Sequence, residues 1–398
     1  MKRIGLPHFP ASAAAPLAAA MGCLQPGIDP VFLTLLSQAS HVPIAAHGLI
    51  VGGTQTGAAL GSLAVWRLGP LLSHRAVIAA ALVALTCSLA TAGIDDITAI
   101  LPIRCCYGLA MGTVYAYAMA AYATRKPNRA FGAVFLIQLV LSTLVSLALP
   151  EVGHAAGADV ALGLLVLAPA SALVALLLME ERDMSRGGGA SPAPSAVPAA
   201  GWALAAATFW FICATMLIWS FSAGLATAAG IADRTIGHAV AIGSISGALT
   251  ALAVMREKLL VPLPVTGLLA GAALVSPMVL TAPGADAAFV VSIILLNIGS
   301  TAIIIRCSGL AAASSTDSRF RTFVACTHSL GLIAGPTLGT LMMALFGPDG
   351  LLAGLLAALV AGLGSVVWAA LAAADTGTRS PSRAMVPDAA NTAQIALD

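Results

Sequence analysis

Charge is what this sequence has least of. Only 9% of its 398 residues are Asp, Glu, Lys or Arg, whereas 59% are hydrophobic and the mean hydropathy is +0.98. A soluble domain needs far more charge to cover its surface, so the composition excludes a soluble globular protein. The apolar runs are continuous rather than alternating, which excludes the strands of a membrane barrel.

Motifs of catalysis and metal binding are also missing. The seven cysteines lie within or beside apolar runs, and the adjacent pair Cys105 and Cys106 has no CxxC or Cys/His spacing. HExxH, GxSxG and paired carboxylates inside apolar runs are absent from the sequence. We therefore expect no metal, no cofactor and no enzymatic activity.

Apolar segments long enough to cross a bilayer, about 20 residues each, recur along the whole chain. They predict an all-α membrane protein with twelve transmembrane helices in two six-helix bundles. The predicted spans are 12–37, 46–66, 74–94, 97–123, 130–150, 157–179, 201–228, 236–255, 260–282, 286–312, 321–346 and 350–374.

One long polar stretch interrupts these spans. The segment EERDMSRGGGASPAPSAVPAAG follows the sixth span, and its Gly, Ser and Pro content is typical of a flexible linker. We therefore predict a six-helix bundle at 1–179, a cytoplasmic linker at 180–200, a second six-helix bundle at 201–374 and a disordered cytoplasmic tail at 375–398.

The placement of basic residues predicts the orientation. If the N-terminus is cytoplasmic, 15 of the 18 Lys and Arg residues lie in inside segments, and outside loops hold only Arg234. The positive-inside rule predicts this bias, so we expect a multi-pass inner-membrane protein with both termini cytoplasmic. The net charge of +2 then reflects orientation, and no nucleic acid partner is expected. The N-terminus also resembles a signal peptide ending near Cys23, but the apolar run continues past it and favours an uncleaved first span.

Three charged residues remain inside predicted spans: Asp29, Arg104 and Arg306. A charge near the bilayer centre is costly, so each needs a partner or a water-filled cavity. Asp29 follows Pro26 and shares a helix face with Gln25, which favours a cavity wall; the alternative is a wet helix end.

Arg104 lies in the fourth span, which also contains all four tyrosines of the chain. A rotation of about 100° per residue places Tyr115 on the same face as Arg104. This stripe predicts an aqueous wall with an aromatic lining, although part of it could be interfacial tyrosine.

The second half contributes further candidates. In the tenth span Asn297 and Thr301 share a face, whereas Arg306 points roughly the other way and could snorkel to the headgroups. Trp210 in the seventh span adds aromatic surface. His328 in the eleventh span is either a titrating group or a packing residue.

The two embedded arginines lie in similar sequences. PIRCCYGLAMG at 102–112 and IIRCSGLAAAS at 304–314 share Ile-Arg-Cys, followed by Gly-Leu-Ala after a one-residue shift. Because both fall in the fourth span of a half, they suggest two copies of one six-span unit, as in many secondary transporters.

With twelve spans and a central linker, the chain resembles the major facilitator superfamily. RCCYGLAMG resembles the family's fourth-span pattern, in which an Arg implicated in proton coupling precedes a Gly by four residues. The resemblance implies that role for Arg104. It also implies that the first, fourth, seventh and tenth spans line a central cavity, which would place Asp29 and Arg306 there.

Two other motifs depart from the family. GSLAVWRLG resembles the loop after the second span, but Val65 and Trp66 replace its Asp and Arg. GLIAGPTLG at 331–339 resembles the fifth-span motif of drug/proton antiporters but falls in the eleventh span. Gly331, Gly335 and Gly339 are therefore predicted to allow tight helix packing, which disfavours drug antiport.

The sequence thus predicts a monomeric secondary active transporter, proton-coupled, that moves a small organic anion or amphiphilic metabolite across the lipid bilayer by alternating access. The alternative is efflux of drugs or toxic metabolites by proton antiport. The predicted substrate-binding residues are Arg104, Arg306, Tyr115, Gln25, Trp210 and Asn297; those for proton coupling are Asp29, Arg104 and His328.

Overall fold

The structure, a computed structural model, describes residues 11–40, 42, 44–94, 96–123, 126–179, 197–255 and 261–378. Regular structure in this part of the chain is helical. The helices are α1 (Ala11–Gly22), α2 (Gln25–Ser40), α3 (Ile44–Leu68), α4 (His74–Thr91), α5 (Ile97–Tyr122), α6 (Pro127–Ala156), α7 (Ala158–Leu164), α8 (Leu167–Leu178), α9 (Ala199–Ala228), α10 (Asp233–Val254), α11 (Leu263–Leu280), α12 (Asp286–Ala313) and α13 (Ser318–Thr378).

Several sequence predictions fall on other parts of the chain. Most of the predicted linker at 180–200 and of the tail at 375–398 lies outside the described residues. The same is true of nine of the fifteen basic residues predicted to face the cytoplasm: Lys2, Arg3, Arg125, Arg182, Arg186, Arg256, Lys258, Arg379 and Arg383.

Nine helices in the described ranges are long and apolar enough to cross a membrane. The short helices α1 and α2 are not among them individually, and neither is α3, whose apolar run contains Thr54, Gln55 and Thr56. α13 counts once although its 61 residues would extend about 90 Å, three times the hydrocarbon thickness of a bilayer. The count of twelve spans therefore stays a prediction.

α13 breaks where the sequence predicts the boundary between its last two spans. Gly347 has φ +66° and ψ −154°, which are not helical, and Pro348 follows it. Glycine adopts a positive φ without the steric cost that a Cβ brings, so the chain can turn there. The two segments 318–346 and 348–378 match the predicted spans 321–346 and 350–374 within a few residues.

The first predicted span is also broken. α1 ends at Gly22 and α2 begins at Gln25, so Cys23 and Leu24 separate two short helices. Pro26 lacks the N–H that would bond the carbonyl oxygen four residues earlier, and its ring opposes a continuous helix. Polar backbone groups are thereby freed in the middle of an apolar segment, which is tolerated where neighbouring groups or water satisfy them.

Helices on either side of the predicted linker pack directly on each other. α3 and α5 contact α13, and α6 contacts α10 and α12. In the predicted numbering, the second span thus packs on the eleventh and the fifth on the eighth. These two contacts are equivalent if each half is a copy of one six-helix unit.

Glycines bring α9 and α13 close together. A Cβ at Gly331 would lie 2.7 Å from Ile212 Cγ2, one at Gly335 would lie 2.8 Å from the backbone nitrogen of Leu217, and one at Gly339 would lie 2.7 Å from Phe221 Cε2. Such separations are too short for a side chain, so only glycine allows this approach. The prediction that these residues serve tight helix packing is confirmed.

The repeat suggested by the two arginine motifs does not correspond to equivalent positions. Arg104 is the eighth residue of α5, whereas Arg306 is the twenty-first residue of α12 (104 − 97 + 1 and 306 − 286 + 1). Thirteen residues of helix correspond to about 20 Å along the axis. The glycines that follow also differ, because Gly108 adjoins Thr54 on α3 and Gly309 adjoins Asn128 on α6. The short match therefore does not mark equivalent positions in the two halves, and the six-span repeat stays a prediction.

We predict that Gly335→Ala lowers the melting temperature of the purified protein. The added methyl group has no room against α9, and overpacking of this kind costs roughly 1–3 kcal/mol. Gly364→Ala is the matched control, because a Cβ at Gly364 would meet no atom within 4 Å. Equal melting temperatures for the two variants, measured by differential scanning fluorimetry in detergent, would contradict the close approach.

Candidate solute-binding site

A cavity lies between the two groups of helices that the predicted linker separates. Its walls come from α2 and α6 on one side and from α9, α10, α12 and α13 on the other. We call it the central cavity. Its volume, taken as the space open to the centres of water molecules, is about 90 Å³. One water needs roughly 10–15 Å³ by this measure, so the central cavity can hold several waters or part of a small solute.

The central cavity combines apolar walls with uncharged polar groups. Phe135, Trp219 and Met216 provide aromatic and thioether surface. None of its described lining residues is Asp, Glu, Lys or Arg. The polar lining residues other than histidine are Gln138, Thr215, Ser244, Asn297, Ser300 and Thr301.

Asn297 and Thr301 lie on the cavity face of α12, as the helical rotation predicts. Asn297 Nδ2 donates to the Ile293 carbonyl oxygen at 2.9 Å, which fixes the amide and leaves its oxygen for the cavity. Thr301 is one turn further along the same face. These groups can accept or donate hydrogen bonds to a solute without adding charge.

His328 is the titratable residue in the described lining of the central cavity. Its side chain is 7% exposed, and its ring lies 5.6 Å from the Tyr115 ring and 5.4 Å from the Phe135 ring, the latter edge-on. Among the described residues, no side chain or backbone group hydrogen bonds to its ring nitrogens. A buried imidazole usually has such a partner, so this ring is available to a ligand or water.

A second, smaller cavity adjoins the central one. This inner cavity, about 20 Å³, shares Pro26, His328 and Leu332 with the central cavity and is otherwise lined mainly by α1, α3 and α5. Tyr115 and Gln25 line it. By volume it holds one or two waters. The break in the first span, at Pro26, therefore faces both cavities.

Arg104 lies beyond the inner cavity. Its guanidinium carbon is 4.4 Å from the centre of the Phe32 ring and 4.4 Å from that of Tyr107, and its side chain is 2% exposed. Such stacking stabilises a desolvated cation. Arg104 Nη2 has no hydrogen-bond partner within the described part of the chain. Arg104 lines a third cavity of about 10 Å³, which has room for about one water.

Close packing of α3 on α5 positions the hydrogen-bond partner of Arg104. A Cβ at Gly108 would clash with the Thr54 carbonyl oxygen, and one at Gly112 with the Ala58 carbonyl oxygen. With glycine at both positions the helices approach closely, and Arg104 Nε donates to Thr54 Oγ1 at 3.3 Å. Gln25 and Tyr107 line both the inner cavity and the cavity at Arg104, so they form the wall between the two.

Asp29 is held inside the same half. Gln25 Nε2 donates to Asp29 Oδ1 at 2.7 Å, and the carboxylate is 8% exposed. Asp29 and Arg104 interact electrostatically, but each has a neutral hydrogen-bond partner, Gln25 and Thr54 respectively. Asp29 lines none of the three cavities described above.

Arg306 points away from the central cavity. Its Nη1 hydrogen bonds to Thr266 Oγ1 on α11, and its side chain is 5% exposed. Its Nε has no partner among the described residues. Trp210 is half-buried, stacks edge-on with Phe209 at 5.0 Å and lines none of the three cavities.

The predicted site residues thus divide into three groups. Asn297 and His328 line the central cavity, Gln25, Tyr115 and His328 line the inner cavity, and Asp29 and Arg104 lie in the interior of the first half. Arg306 and Trp210 are separate from all of these.

Sequence reasoning missed Gln138 and Ser244. Gln138 carried a usable signal, since it is a lone amide in the apolar run FLIQLVL, and polar groups inside spans are rarely accidental. Ser244 carried no such signal, because serine is common in helix contacts.

Contacts between α3, α6 and the helices of the second half join the two halves toward one end of the helices. The Ser62 and Ser329 hydroxyls hydrogen bond at 2.8 Å, and Cys326 Sγ donates to the Ser62 carbonyl oxygen at 3.0 Å. Asn128 Nδ2 donates to the Val254 carbonyl oxygen at 3.1 Å. These contacts lie toward the helix ends that carry Arg67, Arg75, Arg129 and Arg319, which we call the basic end.

Aromatic rings add to these contacts. Trp66 at the end of α3 lies 5.5 Å from Phe323 of α13, and Trp202 of α9 lies 5.3 Å from the same ring. Trp66 occupies the position at which the resemblance to known transporters leads one to expect an Arg. An aromatic contact therefore joins the helices at a position where the family motif has a charged residue.

Comparison with known proteins identifies this architecture. The crystal structure of the human organic anion transporter MFSD10 (TETRAN) matches the chain with a TM-score of 0.69, covering 91% of this chain and 100% of that one at 13% sequence identity. The chain has the major facilitator fold. No family model of sequences and no curated protein sequence matches it.

The major facilitator fold accounts for the arrangement of the helices at the cavity. At 13% identity the similarity lies in the path of the chain rather than in its side chains. The chemistry of the site must therefore be argued from this sequence itself, and above all from His328 and the uncharged residues around it.

We predict a double-mutant coupling between Asp29 and Arg104. Either Asp29→Asn or Arg104→Met leaves one buried charge uncompensated. For a directly bonded pair this lowers the free energy of unfolding by about 3–5 kcal/mol, and we expect a smaller loss here because each charge bonds to a neutral partner. The double variant should recover part of that loss, with a coupling of about 0.5–3 kcal/mol. The measurement is the free energy of unfolding in detergent.

The control pairs Asp29→Asn with Arg306→Met. Arg306 bonds to Thr266 in the other half, so these two effects should add. Additive effects of Asp29→Asn and Arg104→Met would show that the two charges do not stabilise each other.

Proposed function

We propose that the chain is a secondary active transporter that moves a small amphiphilic organic solute across the membrane by alternating access. The observation that carries this proposal is the central cavity, whose walls come from both halves of a major facilitator fold. Secondary transporters bind their solutes near mid-membrane at such an interface, close to interrupted helices. The break at Pro26 borders this cavity.

Alternating access requires that one end opens as the other closes. Here the two halves meet at the basic end through Ser62 and Ser329, Asn128 and Val254, and Trp66 and Phe323. We propose that the basic end is cytoplasmic and that this structure represents the state closed to the cytoplasm. Opening would then break these contacts, none of which joins charged groups.

The lining favours an amphiphilic solute. Phe135, Met216 and Trp219 suit an apolar body, and Asn297 and Thr301 suit a polar group on the facing wall. The structural relative MFSD10 is described as an organic anion transporter, which agrees with an organic solute. Arg104 and Arg306 lie outside the central cavity, so direct solute binding falls to its uncharged lining residues and His328.

We propose proton coupling through His328, because it is the titratable group that borders both the central and the inner cavity. Histidine changes charge nearest to physiological pH. Asp29 and Arg104 remain a second candidate, separated from the central and inner cavities by Gln25 and Tyr107. Gln25 is the link between the two sites, since it bonds to Asp29 and lines the inner cavity.

Efflux of drugs is the second candidate function. The aromatic and methionine surface of the central cavity favours it, because such walls adapt to varied apolar molecules. Cationic drugs fit poorly, since none of the described lining residues is acidic. A growth-inhibition panel separates the two: resistance to many unrelated neutral compounds favours efflux, and a phenotype limited to one nutrient class favours metabolite transport.

Alternating access can be tested without knowing the solute. We predict that spin labels at Arg67→Cys and Arg319→Cys, in a background without the native cysteines, give two distances in proteoliposomes. Both positions are exposed at the basic end, on opposite halves. Labels at Asp96→Cys and Asp286→Cys, at the other end, should also give two distances, with the longer one favoured when the basic-end pair is close.

A pair at Arg67→Cys and Asp96→Cys is the control, since both positions lie in the first half and should keep one distance. Oxidising a Ser62→Cys/Ser329→Cys pair should remove the shorter Asp96–Asp286 distance, because it locks the basic end closed. A single unchanging distance at both ends between pH 5 and pH 8 would overturn the proposed function.

A further inference from the structure

The central cavity has an unusual charge balance. Its described lining contains no acid and no Lys or Arg, and its one titratable side chain is His328. A net charge in this space therefore has two sources only: protonation of His328 and the solute itself. Each of them alone would be a buried charge without a counter-ion, which is strongly unfavourable.

Among the described residues, the surroundings of His328 offer no counter-ion either. The other titratable groups that line the inner cavity with it are Cys23, which follows α1, and Tyr107 and Tyr115 on α5. Cys326 lies two residues away on its own helix. All four are ordinarily uncharged at neutral pH. The residues of α6, α9, α10 and α12 that line the cavity are not titratable. The charges of Asp29 and Arg104 lie on the far side of Gln25 and Tyr107.

We propose that the solute is an amphiphilic monoanion bound together with one proton on His328, which makes the loaded cavity electrically neutral. The proposal rests on the proposed transport function and names its substrate class and its stoichiometry. The proton comes from solution on the side of entry and returns to solution on the side of release. A dianion would leave one negative charge unpaired, and a cation would repel the imidazolium.

Linkage makes the two binding events mutually dependent. If the protonated imidazole favours the anion, the anion must favour protonation by the same factor. Above the pH at which free His328 titrates, the affinity for the anion should weaken on the order of tenfold per pH unit. An uncharged solute of the same shape should show no such dependence.

The geometry gives each part of the solute its place. The anionic group of the solute would lie beside the unpaired ring nitrogens of His328. The side-chain amide of Gln138 on α6 would be a further hydrogen-bond donor. Phe135, Trp219 and Leu296 surround the apolar part. An aromatic or short alkyl monoanion satisfies both requirements.

The test uses benzenesulfonate and hexanesulfonate as probes, with benzenesulfonamide as the uncharged analogue of similar shape. A sulfonate stays ionised between pH 5 and pH 8, so any pH dependence of binding belongs to the protein. Binding to the purified full-length protein is measured by isothermal titration calorimetry in two buffers of different ionisation enthalpy, which also gives the protons taken up. We expect uptake of one proton per sulfonate, and affinity that rises as pH falls.

His328→Gln should make sulfonate binding weak and independent of pH, whereas His238→Gln, an exposed histidine of α10, should behave as the unmodified protein. If His328→Gln does not fold, Asn297→Asp serves instead. It supplies an internal acid for the imidazolium, and sulfonate binding should be lost. Failure of both sulfonates to bind at pH 5, pH-independent sulfonate binding, or equal pH dependence for the sulfonamide would overturn the proposal.

These outcomes are distinct from failure of the transport function. The spin-label distances report alternating access without any solute. If the spin-label pairs at both ends still show two distances while the sulfonates fail these tests, the proposed substrate class is wrong and the transporter assignment stands.

Discussion

A polar group surrounded by hydrocarbon must find a partner, and this requirement governs where charge lies in the chain. Each embedded charge is held by a neutral hydrogen-bond partner within its own half. Gln25 holds Asp29, Thr54 holds Arg104 and Thr266 holds Arg306. The space between the halves is consequently left to uncharged groups and one imidazole.

This division has a mechanical meaning. When two rigid halves rock, groups inside one half keep their neighbours, and groups between the halves exchange theirs. Asp29 and Arg104 belong to the first kind and His328 to the second, since its neighbours Tyr115 and Phe135 are in the opposite half. A proton on His328 can therefore bias the equilibrium between states, because its interaction energy differs between them. For the coupling of protonation to the change between states, the position of a titratable group relative to the interface thus matters more than its charge alone.

Local patterns predicted what depends on local physics. Apolar runs predicted the helices, and Gly347 and Pro348 lie where the last two spans separate. Rotation along α12 correctly placed Asn297 and Thr301 on a different face from Arg306. The direction of Arg104 could not be predicted in this way. It depends on how closely α3 packs on α5, and the glycines that allow this carry no information about their partner. The apparent repeat misled for a related reason, since a short match records composition and not depth in the bundle.

The broken first span suggests why a buried guanidinium is retained away from the solute. α2 is only 16 residues long and is separated from α1 by Cys23 and Leu24, so fewer helical hydrogen bonds hold its start than in a continuous helix. Arg104 contacts Phe32 of α2, Tyr107 of α5 and Thr54 of α3, and so ties the short helix to both neighbours. Asp29, also on α2, contributes an attraction of opposite charge. On this account the buried pair fixes the half-helix whose first turn, at Gln25 and Pro26, forms a wall of the cavities, and His328 is left as the group that meets the solute.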